Sequence, residues 1–453
     1  MPNSMTNVQP PLEFIPPDFQ SGVLKLSQWI FPWWIRFKTP ITEIQAENVE
    51  QLVELYQQFQ QEKVRFMLAF RHPNPDDPLS ISQLFWRKIP QQAKKQGIAL
   101  KSPVHAHFMY DRGIPLWAGN YVTWLFPKLG GTSILRGKLD RQGLRSARNL
   151  FVNGRFPIAA APEGATNGLN HQVSPLEPGI AQLGFWCVED LQKAQRSEEV
   201  LIVPLGIQYH YIRDNWQALA QVLTQMEADC GLTTNNSQPI PSSLYPRLIS
   251  LGNYLLDLME NFYRQYYHQH IPTDQTEELP IRLQRLLDIA LQVAESYFAI
   301  KPKGSLTERC RRIEQTGWDC IYREDIKDLE ALSPVERGLA RRVAEEASLR
   351  MWHMRLVESF VAVSGKYVQE NPTFDRFAEI TIIAWTMITR LKGGNPSQTP
   401  YLGKRRVQMT VGEPISISQR WSDYKASRRQ AVENLTQTLQ AALEKMSQPE
   451  SKP

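Results

Sequence analysis

The chain has 453 residues, 42% of them hydrophobic and 10% aromatic, which is enough for about two or three domains with cores of their own. The formal net charge is only +5, from 51 basic and 46 acidic residues, and the basic residues are not concentrated in a tail, so we expect no nucleic-acid partner. The four cysteines (Cys187, Cys230, Cys310, Cys320) form no CxxC pair and are typical of a reducing compartment. We therefore expect a cytoplasmic protein.

Residues 1–44 are predicted to be an N-terminal arm with a candidate interfacial membrane segment. The polar, proline-rich start lacks the features of a secretory signal and predicts a loose segment. The stretch that follows, VLKLSQWIFPWWIRFK, mixes Trp and Phe rings with Lys25, Arg36 and Lys38, which is typical of a segment among lipid headgroups. A lid packed on the core explains the stretch equally well, and Pro32 argues against one continuous helix. No stretch has the roughly 20 apolar residues that cross a bilayer, so we expect peripheral membrane contact.

Helical and strand patterns alternate over residues 45–214, which predicts an α/β core. Apolar residues recur at helical spacing from Val49 to Phe59, VRFMLAF is typical of a buried strand, and a helix is predicted to begin near Ser80. The alternation indicates a largely parallel mixed sheet flanked by helices, with sites at the carboxyl ends of the strands. The other predicted strands are VHAHFMY, TSIL, FPIAAA and VLIVPLGIQY, and the other predicted helices are LWAGNYVTWLFPKL and RQGLRSARNLFVNG.

Residues 215–398 carry long amphipathic stretches with almost no strand signal, which predicts a large all-helical insertion. Ser333 and Glu336 form a capping-box pattern, and Gly393-Gly394 is a stop signal for the last helix. Residues 399–453 return to a strand pattern, RRVQMTVGEPISI, and then a helix predicted from about Asp423 to Met446. The helical block is therefore predicted to be inserted before the last strand of the core.

The stretch RHPNPDDPLS, which directly follows VRFMLAF, contains the first candidate catalytic residues. Its three prolines argue against a helix across it. His72 and Asp77 are separated by four residues, and a carboxylate that binds one ring nitrogen fixes the histidine tautomer and raises its basicity. This spacing alone is a weak signal, because a strand-ending loop with solvated charges explains it as well.

Three more elements follow in order, each predicted at or beside the end of a strand. They are GGTSILRG with Arg136, APEGATNG with Glu163 and Gly164, and LIVPLGI with Pro204. With His-x-x-x-x-Asp, this ordered set resembles the glycerolipid acyltransferase family that includes the 1-acylglycerol-3-phosphate acyltransferases. The resemblance covers roughly residues 60–210, and RVQMTVGEPISI is similar to the strand that ends the catalytic domain of that family. It does not extend to the helical block.

The resemblance implies direct transfer of a fatty acyl group from an acyl-CoA or acyl-carrier-protein thioester to a lysophospholipid hydroxyl, in phospholipid biosynthesis. His72 is then the general base and Asp77 orients it. Arginine offers a forked donor that matches a phosphate. The resemblance implies no metal and no cofactor beyond the acyl donor, and the Trp-rich basic segment favours a membrane surface as the partner. The implied substrate-binding residues are Arg136, Glu163, Gly164 and Pro204.

Departures from the family pattern leave the acceptor open. Thr166 and Asn167 stand where the family usually has an arginine or a similar polar residue after Pro-Glu-Gly. Arg71 and Asp76 stand where small polar and aromatic residues are common. Another lipid or an alcohol is therefore an alternative acceptor. A protein of another class, in which the α/β part binds lipid without turnover and the helical block is an interaction module, is the second hypothesis.

Other candidate sites are weaker. His105 and His107 lie two residues apart on a predicted strand and could bind a metal, although no cysteine or carboxylate nearby completes a set. Asp111 follows His107 with a spacing one residue too short for the motif above. Cys187 lies in an apolar helical pattern and is interpreted as a core residue rather than a nucleophile. The aromatic residues from Trp117 to Trp124 are typical of a core, with a lipid groove as the alternative.

Overall fold

The chain divides into two compact units in the computed structural model, which describes residues 8–135, 140–233, 239–272, 277–326, 328–360, 363 and 366–448. The first unit, called the α/β unit below, comprises Phe14–Leu135, Leu139–Ile212 and Lys404–Pro453. The second, called the helical unit, comprises Arg213–Gly403 and the N-terminal residues up to Glu13.

An eight-stranded, mostly parallel sheet lies at the centre of the α/β unit, which confirms the predicted fold class. The strands are β1 (Ile41–Glu47), β2 (Val64–Phe70), β3 (His107–Asp111), β4 (Thr132–Ile134), β5 (Ile158–Ala160), β6 (Glu199–Tyr211), β7 (Arg405–Val411) and β8 (Ile415–Ser416). Their order is β1-β7-β6-β2-β5-β3-β4, with β8 beside β6. Strands β2 to β6 run parallel, so their carboxyl ends meet at one edge, whereas β7 and β8 are antiparallel to β6.

In the described chain, the segments with helical sequence patterns form helices. They are α1 (Ser21–Lys38), α2 (Val49–Gln60), α3 (Asp77–Gln83), α4 (Ile89–Gln96), α5 (Pro115–Ala118), α6 (Tyr121–Lys128), α7 (Arg141–Asn153), α8 (Gly179–Lys193), α9 (Trp216–Asp229), α10 (Pro241–Tyr266), α11 (Leu279–Tyr297), α12 (Leu306–Ile321), α13 (Pro334–Glu358), α14 (Tyr367–Glu370), α15 (Phe374–Leu391), α16 (Trp421–Ala426) and α17 (Arg428–Met446). A π-helical turn, Leu84–Lys88, joins α3 to α4.

Apolar clusters cover both faces of the sheet, and the side chains of β2 point alternately into one cluster and the other. Phe66 and Leu68 pack with α2 and the π-helical turn on one face. Met67 and Ala69 pack with α7, α8 and α17 on the other. All seven residues of β2 are buried, and six of them are apolar, as expected for a strand in a sheet covered on both sides. The core therefore fixes β2 and the residues that directly follow it.

The N-terminal region differs from the prediction in three respects. Helix α1 is continuous although Pro32 lies inside it, because at the surface water can bond the carbonyl that proline leaves without a partner. Strand β1, which no pattern predicted, begins at Ile41 and pairs with β7. The residues directly before α1 are held against the α/β unit rather than loose, since the amides of Asp18 and Gln20 donate to the carbonyls of Pro127 and Lys128 at 2.9 and 2.8 Å.

Three helix boundaries also differ from the prediction. Helix α3 begins at Asp77 rather than near Ser80, because Pro78 falls in the first turn, where its missing N–H costs nothing. The helix predicted over LWAGNYVTWLFPKL is interrupted at Gly119, whose φ of +100° is outside the helical region. The C-terminal helix is interrupted at Ser427, which separates α16 from α17.

The helical unit contains α9 to α15. The capping box predicted at Ser333 and Glu336 is confirmed, and a second one forms at Ser305 and Glu308. Gly393 adopts a φ of +74° directly after α15, as the predicted stop requires. No helix of the described residues is long and apolar enough to cross a bilayer.

Candidate active site

His72 and Asp77 form a hydrogen-bonded pair at the carboxyl end of β2. The N–H of Nδ1 donates to Oδ2 of Asp77 at 2.9 Å, and the carboxylate is completely buried whereas 21% of the His72 side chain is exposed. Because an ionised carboxylate only accepts, the proton is on Nδ1, and Nε2 presents its lone pair. Within the described part of the chain Nε2 has no hydrogen-bond partner, so it can accept a proton from a bound molecule.

The Asp77 carboxylate is held by groups that sequence reasoning did not identify. The Tyr209 hydroxyl donates to Oδ1 of Asp77 at 2.5 Å, and the backbone N–H of Asn74 donates to Oδ2 at 3.0 Å. Burial raises the pKa of Asp77 above its ordinary value, and the hydrogen bonds from His72, Tyr209 and Asn74 act against that increase. Tyr209 lies 132 residues away from Asp77, on β6.

Asp76 is placed differently from Asp77. It precedes α3 without a side-chain capping bond, and no hydrogen bond joins it to His72 in the described structure. Burial raises its pKa, and the charge of Arg405 acts in the opposite direction. The structure therefore pairs His72 with the carboxylate that the four-residue spacing selects.

Glu163 lies at the end of β5, beside His72, because β2 and β5 are neighbouring parallel strands. Its Oε1 accepts from the backbone N–H of His72 at 2.8 Å and from Nε of Arg71 at 3.3 Å. Its Oε2 accepts from Nδ2 of Asn167 at 3.1 Å and from the N–H of Ser174 at 2.8 Å. The carboxylate is 1% exposed and is occupied by these donors. Glu163 thus fixes the loop around His72.

The Arg71 side chain also binds the segment that follows β5. It is completely buried and donates to Glu163, to the carbonyls of Leu169, Asn170 and Gln172, and to the Ser447 hydroxyl. The guanidinium therefore ties the segment after β5 to the end of α17. Sequence reasoning noted Arg71 only as a departure from the family pattern.

Comparisons of the chain with protein-family models, with curated proteins and with solved structures found no match. The motifs and the geometry of the site are therefore the only grounds for assigning it a function.

Asn167 is one of the two residues, with Thr166, that stand where the resembled family usually has an arginine or a similar polar residue. Its Nδ2 donates to Glu163, to the carbonyl of Gln172 at 2.7 Å and to the Ser174 hydroxyl at 3.1 Å, and its Oδ1 accepts from the Leu169 amide at 3.0 Å. Every polar atom of this side chain is used inside the loop. It offers no cation and no spare donor to a phosphate.

The remaining predicted substrate-binding residues are Gly164, Arg136 and Pro204. Gly164 turns the loop with a φ of +73°. Arg136 lies outside the described residues, and the neighbouring Leu135 amide donates to Oδ2 of Asp140 at 2.9 Å. Pro204 is buried inside β6 rather than at its end. It is accommodated where β6 changes partner from β8 to β7, so that no ladder N–H is required there.

His105 and His107 are buried core residues. The Trp86 indole donates to Nδ1 of His105 at 3.1 Å, and Nε2 of His105 donates to the carbonyl of Leu129 at 2.9 Å. Nδ1 of His107 donates to the carbonyl of Gly130 at 2.8 Å. Burial disfavours the charged form of each ring and lowers the pKa of each to about 4. Within the described residues no group of three or more His, Cys, Asp or Glu side chains could hold a metal.

The folded protein is expected to lose stability in acid because of His105 and His107. An unfolded histidine titrates near pH 6.5, so between pH 6.5 and pH 4 the unfolded chain binds more protons than the folded one. Stability is therefore complete above pH 6.5 and decreases as the pH falls, by about 2 kcal/mol for each ring at pH 5. Urea denaturation at pH 7 and pH 5 measures the difference. His105→Gln is expected to reduce this difference in stability between pH 7 and pH 5. The control His270→Gln, at an exposed histidine, is expected to preserve it. An unchanged difference in His105→Gln would mean that His105 does not cause the loss of stability in acid.

Proposed function

We propose that the chain is an O-acyltransferase that moves a fatty acyl group from an acyl thioester to the hydroxyl of a lysophospholipid such as 1-acylglycerol-3-phosphate. One observation carries the proposal. The Nε2 atom of His72 is open, while Asp77 holds Nδ1 and Glu163 holds the backbone N–H of the same residue. A base fixed in this way suits proton transfer from a hydroxyl.

In the proposed reaction the acceptor hydroxyl gives its proton to Nε2 of His72, and its oxygen attacks the thioester carbonyl carbon. The C–S bond then breaks, and the thiolate leaves with the proton that His72 returns. Asp77 stabilises the imidazolium formed between these two steps, because it already accepts from Nδ1. The rigid loop contributes by positioning, which can supply several kcal/mol of the barrier.

A second acceptor class is favoured by Asn167. The resembled family usually has an arginine or a similar polar residue where this chain has Thr166 and Asn167, and the side-chain amide of Asn167 is bonded within its own loop. An acceptor without a phosphate, such as a neutral lysolipid or a fatty alcohol, needs no cation there. This version keeps the same base and the same thioester donor.

An acceptor panel tests the proposal. Purified protein is given labelled acyl-CoA or acyl-carrier protein with 1-acylglycerol-3-phosphate, a neutral lysolipid or a fatty alcohol, and products are separated by chromatography. Phosphatidic acid as the main product supports the first acceptor class, and esters of the neutral acceptors support the second. Lipid binding without transfer to any acceptor would overturn both and favour an interaction protein.

The two aspartates beside His72 are expected to differ in their effect on turnover. Asp77→Asn removes the acceptor that fixes the tautomer, and we expect the rate to fall about 10²–10⁴-fold, the range of a general base. Asp76→Asn is the matched control and is expected to stay within about twofold, since no bond joins Asp76 to His72. Turnover with saturating donor and acceptor measures both variants. Equal losses would mean that Asp77 does not orient the base.

Helix α1 supports the proposed membrane surface as a partner. Side chains at helical spacing form one exposed face, called the aromatic face of α1: Leu26, Trp29, Ile30, Trp33 and Phe37. The helix also exposes Lys25, Arg36 and Lys38 and carries no acidic residue. It packs against α3, which begins at Asp77, and against α6, where Tyr121 and Trp124 are exposed too. Rings and basic side chains in this arrangement suit the headgroup region of an anionic bilayer.

Removal of rings from the aromatic face of α1 is expected to weaken membrane binding. Trp29 and Trp33 are 69% and 57% exposed, so Trp29→Ala/Trp33→Ala should bind vesicles that contain phosphatidylglycerol at least about tenfold more weakly, with little change in folding. Vesicle co-sedimentation measures the binding. The matched control is Tyr266→Ala/Tyr401→Ala, both 65% exposed and in the helical unit. Equal binding by both double variants would exclude α1 as the contact.

A further inference from the structure

Tyr209 lies where β6 runs past the end of β2. The last residue of β2, Phe70, is paired with Leu205, and β6 continues to Tyr211 beside β7. On the other side of Tyr209 the side-chain amide of Asn170 takes the place of a strand. Its Nδ2 donates to the Tyr209 carbonyl at 2.7 Å, and its Oδ1 accepts from the Tyr209 N–H at 2.8 Å. The backbone of Tyr209 is therefore fixed between β7 and Asn170.

The Tyr209 hydroxyl completes the set of donors around Asp77. Among the described residues it is the one donor to Oδ1, at 2.5 Å. The other carboxylate oxygen, Oδ2, accepts from Nδ1 of His72 and from the backbone N–H of Asn74. Asp77 is completely buried and Tyr209 is 4% exposed, so solvent does not reach this bond. Removal of the hydroxyl would leave one oxygen of a buried anion without a donor.

The proton of this bond stays on the tyrosine. Burial, together with the charge of Asp77, raises the pKa of Tyr209 well above its ordinary value. Burial also raises the pKa of Asp77, and the hydrogen bond from Tyr209 acts against that increase. Removal of the hydroxyl alone leaves the other charged side chains around the pair in place. These are Asp76 in the same loop, Arg405 on β7, whose guanidinium lies over the Tyr209 ring at 5.8 Å, and the ion pair of Arg71 and Glu163.

We propose that Tyr209 is a positioning residue that keeps Asp77 anionic, so that Nε2 of His72 stays free to accept the proton of the acceptor hydroxyl. This inference rests on the proposed acyl transfer. A carboxylate that has lost a donor attracts a proton more strongly, so without the hydroxyl the His72–Asp77 pair takes up a proton at higher pH. Imidazole is intrinsically more basic than a carboxylate, so that proton occupies Nε2 and the ring no longer acts as a base.

The pH dependence of kcat tests the inference. Tyr209→Phe should move the acidic limb of the profile to higher pH by about one unit, which corresponds to the strength of a hydrogen bond to a charged group. The KM of both substrates should stay within about twofold, because Tyr209 is buried behind Asp77. The matched control is Tyr56→Phe, which removes another buried hydroxyl of the α/β unit, bonded to the His105 carbonyl at 2.9 Å, and should leave the limb unchanged. An unmoved acidic limb in folded Tyr209→Phe would overturn the proposal.

Proton uptake by the pair can also be measured without turnover. In protein labelled with ¹⁵N-histidine, the ring signals of His72 are assigned by their loss in His72→Ala. They should respond to acid about one pH unit higher in Tyr209→Phe than in the wild-type protein. If the wild-type protein transfers no acyl group to any acceptor, the proposed function fails, and this measurement still decides whether Tyr209 controls the pair. Identical responses in both proteins would overturn that control.

A double variant keeps the test decisive if Tyr209→Phe folds poorly. In urea, Tyr209→Phe should destabilise the wild-type protein more than it destabilises Asp77→Asn, because a neutral amide needs the hydroxyl less than a buried anion does. Equal losses of stability in the two backgrounds would mean that Tyr209 acts by packing alone, and would overturn the proposal.

Discussion

His72→Ala is expected to reduce acyl transfer about 10²–10⁴-fold, because a positioned general base contributes a factor of this size. The fold should persist. The side chain is partly exposed, and Asp77 keeps its hydrogen bonds from Tyr209 and Asn74 when the imidazole is removed. Turnover at saturating donor and acceptor measures the loss, and circular dichroism with a thermal melt checks the fold.

The matched control for this variant is His270→Ala, which removes an exposed histidine of the helical unit and is expected to leave the rate unchanged. Wild-type turnover in His72→Ala would mean that another group takes the proton. Loss of turnover together with unchanged vesicle binding would separate chemistry from membrane attachment, since α1 and His72 then act independently.

The geometry around His72 could be predicted from sequence where the cause is local. VRFMLAF is apolar except for Arg65 and is the central, doubly covered strand β2. His72 and Asp77 are separated only by the short turn that ends at α3, so their spacing, together with the ordered elements that follow it, was enough to predict the pair. The sheet class followed from the alternation of short apolar strands with amphipathic helices.

The contacts that support this pair could not be predicted in the same way, because their partners are distant in sequence. Tyr209 is 132 residues from Asp77, and Ser447 is 376 residues from Arg71. Strand β1 was missed for a related reason. Of its residues only Ile41 is buried, so backbone pairing with β7 rather than apolar patterning holds it in place. Asn167 shows a third limit, since its sequence position indicated a missing cation but not the bonds that replace it.

Arg71→Met is expected to reduce the free energy of unfolding of the α/β unit by about 3–5 kcal/mol, the usual cost of removing one partner from a buried ion pair. The completely buried guanidinium makes hydrogen bonds to Glu163, to three carbonyls and to the Ser447 hydroxyl. Methionine fills a similar volume but offers no donor. The Glu163 carboxylate then stays buried without its cation, and the carbonyls of Leu169 and Gln172 lose their partner.

Urea denaturation measures this cost, with Arg148→Met as the matched control. Arg148 also pairs with a carboxylate, Asp190, but its side chain is 30% exposed, so we expect a cost of about 1 kcal/mol or less. Addition of Glu163→Gln to Arg71→Met should cost less than the sum of the two single changes, because the neutral amide no longer needs the guanidinium. Similar costs for Arg71→Met and Arg148→Met would contradict the role given to Arg71. Since Glu163 also holds the backbone N–H of His72, Arg71→Met should lower turnover in folded protein as well, which would link the stability of this loop to the position of the base.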